Sequence, residues 1–184
     1  DISACLVGSE MCIRDRYIGR CIRSLINQSF DNDNYEIIVI NDGSSDRTPE
    51  ALKQFMGDII YIKNKKNIGL PGSLNKGIKK ARGQYIVRVD ADDWVNPQFL
   101  NLLYHHLNLN MELDAVACDY QIVNNQQKIL SYENCEKKPI GCGIMFKYSN
   151  LIEIGLYDKK FLAREEEELI HRFKKKYKIV LNST

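Results

Sequence analysis

Three aspartates within four positions, Asp90, Asp92 and Asp93, follow the apolar run Tyr85-Ile86-Val87-Arg88-Val89. That run has the length and the Tyr/Ile/Val content of a buried strand, so the carboxylates fall where the strand leaves its sheet. Ligands of open α/β sheets bind outside the carboxyl ends of strands. In extended backbone Asp90 and Asp92 point to one side. Like charges so close need a positive partner. A divalent metal carrying a diphosphate would be one. The same carboxylates would also serve as surface groups capping a helix that begins near Pro97.

Two earlier loops could contribute to the same site. Asn41-Asp42-Gly43-Ser44-Ser45-Asp46 follows an apolar run and precedes a helix. Asp42 can accept a hydrogen bond from the N–H of a pyrimidine base, and Gly43 permits a tight turn. An Asx turn with a helix cap suits this composition equally. Asn67-Ile68-Gly69-Leu70-Pro71-Gly72 leads into a helix carrying Asn75 and Gly77. Gly69 and Gly72 would let backbone approach a ligand, and a helix start favours anions. An ordinary loop, with Gly77 packed on a sheet, is the simpler alternative. Near the C-terminus, Glu165-Glu166-Glu167-Glu168 opens a helix, where acids are favoured by the helix dipole whatever else they do.

The elements that would position these groups alternate. Ile18, Cys21, Ile22, Leu25 and Ile26 recur at helical spacing. Tyr35–Ile40 reads as a strand, and a helix follows with Thr48 as N-cap and Pro49 at its first position. Ile59–Ile62 is a strand, 73–81 a helix, and the run into Asp90 the next strand. A helix from Pro97 turns Phe99, Leu100, Leu103 and Leu107 inward. Asp114–Tyr120 is a strand, and 121–130 a hairpin. Gly141–Phe146 is a strand or packed loop, 149–154 a short helix, 165–177 a final helix and 178–181 a final strand. Such alternation predicts an α/β domain with a mostly parallel central sheet flanked by helices.

The 184 residues suffice for one domain with a sizeable core. A net charge of +2 gives no electrostatic argument for a nucleic-acid partner. No apolar run approaches the length of a membrane span. Lys174-Lys175-Lys176 reads as a solvated helix end, with attraction to anionic lipid the weaker option. The six cysteines form no C-x-x-C pair and read as free thiols of a reducing compartment. Trp94 would flank a ligand or anchor the core.

In order and spacing, three of these blocks resemble family 2 glycosyltransferases of the GT-A (Rossmann-like) fold. The matching runs are N-D-G-S-S-D-R-T at 41–48, N-x-G-x-x-x-x-x-N-x-G-x-x-x-A-x-G at 67–83, and D-A-D-D at 90–93. The resemblance implies transfer of a sugar, with inversion, from a nucleotide-sugar donor, usually UDP-linked, to a saccharide or lipid-linked acceptor. The product would be a bacterial-type surface polysaccharide or glycolipid. It implies that Asp42 and Gly43 meet the base. Asn67, Gly69, Asn75, Asp90, Ala91 and Asp92 would line the donor site, and Mn²⁺ or Mg²⁺ would sit at the D-x-D pair Asp90 and Asp92, with Asp92 the better ligand and Asp93 in its place if the register differs by one. In Glu165-Glu166-x-Glu168-Leu169, Glu166 falls where the family carries an aspartate acting as general base, so Glu165 and Glu166 are the implied catalytic pair. Gly141–Phe146 resembles the family's small-residue segment between donor and acceptor sites. The implied location is cytoplasmic, with peripheral attachment at the inner face of a membrane an open option.

Two departures accompany the resemblance. Residues 1–16 show neither alternation nor a helical stripe, and Leu6–Asp15 resembles translated sequencing-adapter read-through. We therefore expect 1–16 to be foreign to the domain and its first strand to be missing, with a divergent strand as the second choice. The domain proper would be 17–184, its donor half about 17–95 and its acceptor half about 96–184. A segment closing the acceptor side is also expected to be lacking. These departures leave a catalytically impaired nucleotide- and metal-binding fragment as the alternative to a working transferase.

Overall fold

The computed structural model describes residues 1–8, 14–44, 47–161 and 163–181. A seven-stranded sheet forms its middle layer, in the order β3 (Ile60–Lys63), β2 (Tyr35–Asn41), β1 (Ile2–Gly8), β4 (Tyr85–Asp90), β8 (Ile144–Lys147), β5 (Ala115–Ala117) and β9 (Ile179–Leu181). Strands β1 to β4 are parallel, β8 runs antiparallel to both its neighbours, and β9 is parallel to β5. β6 (Tyr120–Val123) and β7 (Ile129–Glu133) form the expected hairpin outside the sheet. Helices α1 (Arg14–Ile26), α2 (Thr48–Leu52), α3 (Leu70–Ile78), α4 (Phe99–Leu109), α5 (Tyr148–Glu153) and α6 (Glu165–Lys174) complete the chain.

Two apolar clusters fill the two sides of the sheet. One gathers Ile18, Ile22 and Leu25 of α1 with Leu100, Leu103 and Leu107 of α4. The other gathers Leu74 and Ile78 of α3 with Leu169, Ile170 and Phe173 of α6. Burial of these helical stripes is the main driving force for the layer arrangement. Among the described residues no helix is long and apolar enough to cross a membrane.

The expected loss of the first strand is overturned. Ile2–Gly8 lies at the centre of the parallel half, paired with both β2 and β4. Ile2, Ser3 and Ala4 are fully buried. A strand covered on both faces need not alternate, so Ser3 among apolar residues hid it from a periodicity reading. Ser3 is itself a tie: its Oγ donates to Glu36 Oε1 (2.6 Å) and accepts from the Gly83 N–H (2.9 Å). The boundary expected at residue 17 also falls inside a helix, since α1 starts at Arg14. Residues 9–13, the middle of the segment expected to be foreign, lie outside the described residues.

Gly83 sits so close to β1 that an added Cβ would lie 2.7 Å from the Ile2 carbonyl carbon and the Ser3 nitrogen. Backbone on both sides cannot yield cheaply. We expect Gly83→Ala to cost about 2 kcal/mol or more and lower Tm by roughly 4–8 °C, read by thermal denaturation. An unchanged Tm would mean that β1 does not pack as described.

Other boundaries shift modestly. α3 begins at Leu70, three residues earlier than expected. Thr48 is the first helical residue of α2 rather than its cap, and Pro49 follows it. Cys21, Cys118, Cys135 and Cys142 are free thiols, as expected.

Candidate active site

The sheet order 3-2-1-4 changes direction at β1, so the crevice of an α/β sheet opens at the carboxyl ends of β1, β2 and β4. The register places Gly8 beside Asn41 and Val7 beside Asp90. With one strand between them, the ends of β2 and β4 stand about 10 Å apart.

Asp42 follows β2 directly and is completely buried. Its Oδ1 accepts from Asn64 Nδ2 (2.8 Å) and from the Ile68 N–H (2.9 Å). Its Oδ2 is buried and has no partner among the described residues. Asn64 is held in turn: Nδ2 also donates to Ser73 Oγ (2.8 Å), and Oδ1 accepts from Lys76 Nζ (2.6 Å). Gly43 adopts φ +77°, and a Cβ there would lie 2.9 Å from the Asn67 nitrogen. The two loops expected to act together are thus joined through Asp42. Asn67 shapes the second of them by accepting the Gly69 N–H at Oδ1 (2.9 Å).

Asn75 has a different post from the one expected. Its amide donates to the Tyr157 carbonyl (2.8 Å) and accepts the Tyr157 N–H (3.0 Å), and it is buried. Each end of the amide is engaged, and Asn75 thereby ties α3 to the segment before α6.

At the end of β4 the three aspartates part company. Both Asp90 oxygens are engaged by Arg88, from Nε (2.7 Å) and Nη2 (3.2 Å). Ala91 is buried in the turn. Asp93 closes that turn through its N–H to the Asp90 carbonyl (3.0 Å). The Asp93 carboxyl loses hydration and faces Asp90 and Asp92, which push its pKa up; a hydrogen bond with Cys142 and the Arg88 charge oppose this. Asp92 is exposed, and no described residue engages its carboxylate. Among the described residues no three His, Cys, Asp or Glu side chains converge as a metal cage. Mg²⁺ and Mn²⁺ do not require one: such ions bind through one or two carboxylates and the substrate's phosphates. Asp92 fits that need, whereas Asp90 is already paired and Asp93 is turned toward Cys142.

Helix α1 anchors the turn from behind. Cys21 Sγ donates to the Asp90 carbonyl (3.4 Å), and Ser24 Oγ accepts the Val95 N–H (3.1 Å). Gln28 bonds the Asn96 carbonyl (2.8 Å) and the Leu100 N–H (2.9 Å). Trp94 is covered by the Arg20 guanidinium, 3.5 Å from its ring centroid. Burial first, then the Asp90 and Asp93 charges, keep Cys21 and Cys142 in the thiol form.

Glu165 and Glu166 open α6. Glu165 is buried and accepts from Arg88 Nη1 (3.2 Å). Glu166 is half-buried. Burial lifts its pKa above the ordinary glutamate value and Glu165 adds to the rise, while its own backbone N–H and Arg88 oppose it. Gly141 lies against Arg88 of β4 and Glu166 of α6: a Cβ there would stand 2.6 Å from Arg88 Nη1 and 3.0 Å from Glu166 Cβ. Arg88, Asn64, Lys76 and Tyr157 were not picked out from sequence. A lone arginine inside an apolar strand, two residues from Asp90 and on its side, was the available signal for one of them.

The profile of glycosyl transferase family 2 matches residues 11–166, and the chain belongs to that family. Its fold is GT-A: residues 1–349 of Staphylococcus aureus TarS, solved with UDP, superpose with a TM-score of 0.80 at 14% identity, over 100% of this chain and 60% of that one. The mannosyltransferase PcManGT of Pyrobaculum calidifontis, solved with GDP-Man and Mn²⁺, gives 0.78 at 17% identity over 99% of this chain and 54% of its own. In sequence, the glycosyltransferase EpsH of Bacillus subtilis is 37% identical over 108 residues, 58% of this chain and 30% of that protein. The poly(ribitol-phosphate) beta-glucosyltransferase of Bacillus spizizenii is 36% identical over 92 residues, 48% of this chain and 14% of its own. The chain therefore spans a minor part of these two sequence relatives.

Proposed function

We propose that this domain transfers a sugar from a UDP-sugar to an acceptor hydroxyl with inversion, in the synthesis of a surface polysaccharide or glycolipid. The observation that carries the reading is Asp42. One of its oxygens accepts from Asn64 and Ile68, and the other is buried without a partner among the described residues. A buried acceptor left open costs free energy until a donor fills it, and the N–H of a uracil ring is such a donor. The nearby β4 end would then receive the diphosphate.

Each residue has a task in this reading. Asp42 orients the base, and the loop 67–69 closes over it. Asp92 holds Mn²⁺ or Mg²⁺, which when bound supplies positive charge to the departing diphosphate. Glu166 accepts the proton of the acceptor hydroxyl as that oxygen attacks the anomeric carbon from the face opposite the leaving group. Glu165 and Gly141 keep Glu166 in place. TarS was solved with UDP and PcManGT with GDP-Man and Mn²⁺, which is in keeping with a nucleotide-sugar donor and a divalent ion here.

Calorimetric titration of UDP tests the base site. In Asp42→Asn one oxygen can still serve Asn64 and Ile68, but the other position becomes an N–H₂ facing the base N–H. We expect UDP affinity to fall by about 30- to 100-fold, the loss of a charge-assisted hydrogen bond plus a donor–donor clash. Equal affinity in parent and variant would reject Asp42 as the base reader. UDP binding with no transfer under any metal would instead favour a nucleotide-binding module.

A further inference from the structure

We propose, building on the transferase reading above, that Arg88 is the positioning residue that holds the donor-side loop and the base-bearing start of α6 in register. Its guanidinium makes three carboxylate bonds in two directions, two to Asp90 and one to Glu165. The Arg88 side chain is 11% exposed and that of Glu165 6%. A planar fork can bridge two carboxylates at fixed angles, which an ammonium cannot.

The surroundings confine that fork. Gly141 leaves room for it and no more, because a Cβ would meet Nη1 at 2.6 Å. The Tyr157 hydroxyl lies beside the guanidinium, and burial pushes its pKa up to about 12, so it stays neutral. The segment carrying Tyr157 is gripped from both halves. Asn75 of α3 bonds both main-chain groups of Tyr157, and Arg172 of α6 bonds the carbonyls of Ile154 and Leu156, the latter at 2.6 Å. Donor half and acceptor half therefore meet around one cation. Asp90 begins the turn that presents Asp92, and Glu165 is the neighbour of Glu166. Displacing Arg88 would release both at once and strand two carboxylates.

Steady-state kinetics on the full-length enzyme, with UDP-sugar and Mn²⁺, test this. Arg88→Met is expected to lower kcat at least 30-fold and raise donor KM several-fold. Arg88→Lys keeps the charge but not the fork, and should show the same two changes at smaller amplitude. Adding Glu165→Gln to Arg88→Met removes the carboxylate stranded beside Glu166. That pair should recover at least fivefold in kcat while donor KM stays high, because Asp90 remains loose. A purely structural role would lower apparent kcat in step with the folded fraction, followed by circular dichroism, and leave donor KM unchanged. A parent enzyme that binds UDP and transfers sugar, with kcat and KM within twofold in a folded Arg88→Met, overturns the role of Arg88 alone. If Arg88→Met does not fold, unchanged kinetics in Arg88→Lys overturn it equally. A parent that neither binds UDP nor transfers sugar removes the transferase reading, and the role of Arg88 with it.

Discussion

Glu166→Gln should reduce kcat for sugar transfer by about 10³-fold while leaving UDP affinity unchanged. The amide has nearly the shape of the acid but cannot take a proton from the acceptor hydroxyl. Glu166 stands on the first turn of α6, half-buried beside Glu165 and close to Gly141. Its raised pKa fixes the sign of the pH dependence. A base works only when ionised, so kcat should climb with pH through a value above the ordinary glutamate range and level off once Glu166 has lost its proton. The residual activity of the Gln variant should lack that acid limb. Glu166→Asp, one methylene shorter, should retain far more transfer than Glu166→Gln. If Glu165→Gln abolishes transfer and Glu166→Gln does not, the base is Glu165 and the register of the helix has been misread.

Asp92→Asn is expected to lower kcat by about 10²-fold or more, through loss of roughly 3 kcal/mol of stabilisation of the leaving diphosphate. The Mn²⁺ concentration giving half-maximal rate should rise at least about tenfold, since a neutral amide is a poorer ligand for a hard cation. Metal titration of the rate checks both effects. Asp90→Asn should behave differently, because the Asp90 carboxylate faces Arg88. It should disturb kcat with little change in the metal titration. Should Asp90→Asn shift the metal requirement and Asp92→Asn leave it alone, the ion sits on Asp90 and Arg88 must let go of it. The contrast separates two aspartates of one motif that are unequal by contact.

That inequality shows where sequence reading reaches its limit. Local order was legible for most of the chain. The apolar runs at β2 and β4, the inward positions 99, 100, 103 and 107 of α4, and the hairpin β6–β7 all follow from period and turn residues. β1 was not, because a short strand buried on both faces carries no alternation and Ser3 makes it look polar. The hydroxyl of Ser3 is satisfied by Glu36 and Gly83, residues 33 and 80 positions away. Asn75 was placed in the donor site by its motif, yet its amide serves the Tyr157 main chain 82 residues on.

By itself the sequence determined the candidate chemistry: a buried-strand carboxylate beside a glycine turn at Asp42, acids at the mouth of β4, and an acidic helix start at Glu165–Glu168. Residue type and near-neighbour spacing carry that information, since protonation, chelation and turn geometry depend on a few adjacent atoms. Only the tertiary structure decided which of those acids are free. Among the described residues Asp42 keeps one open oxygen, since Asn64 and Ile68 meet the other. Asp90 and Glu165 are spent on Arg88, while Asp92 and Glu166 are left with capacity to act. Partners far apart in the chain set those states, through contacts that exist only once the sheet has closed.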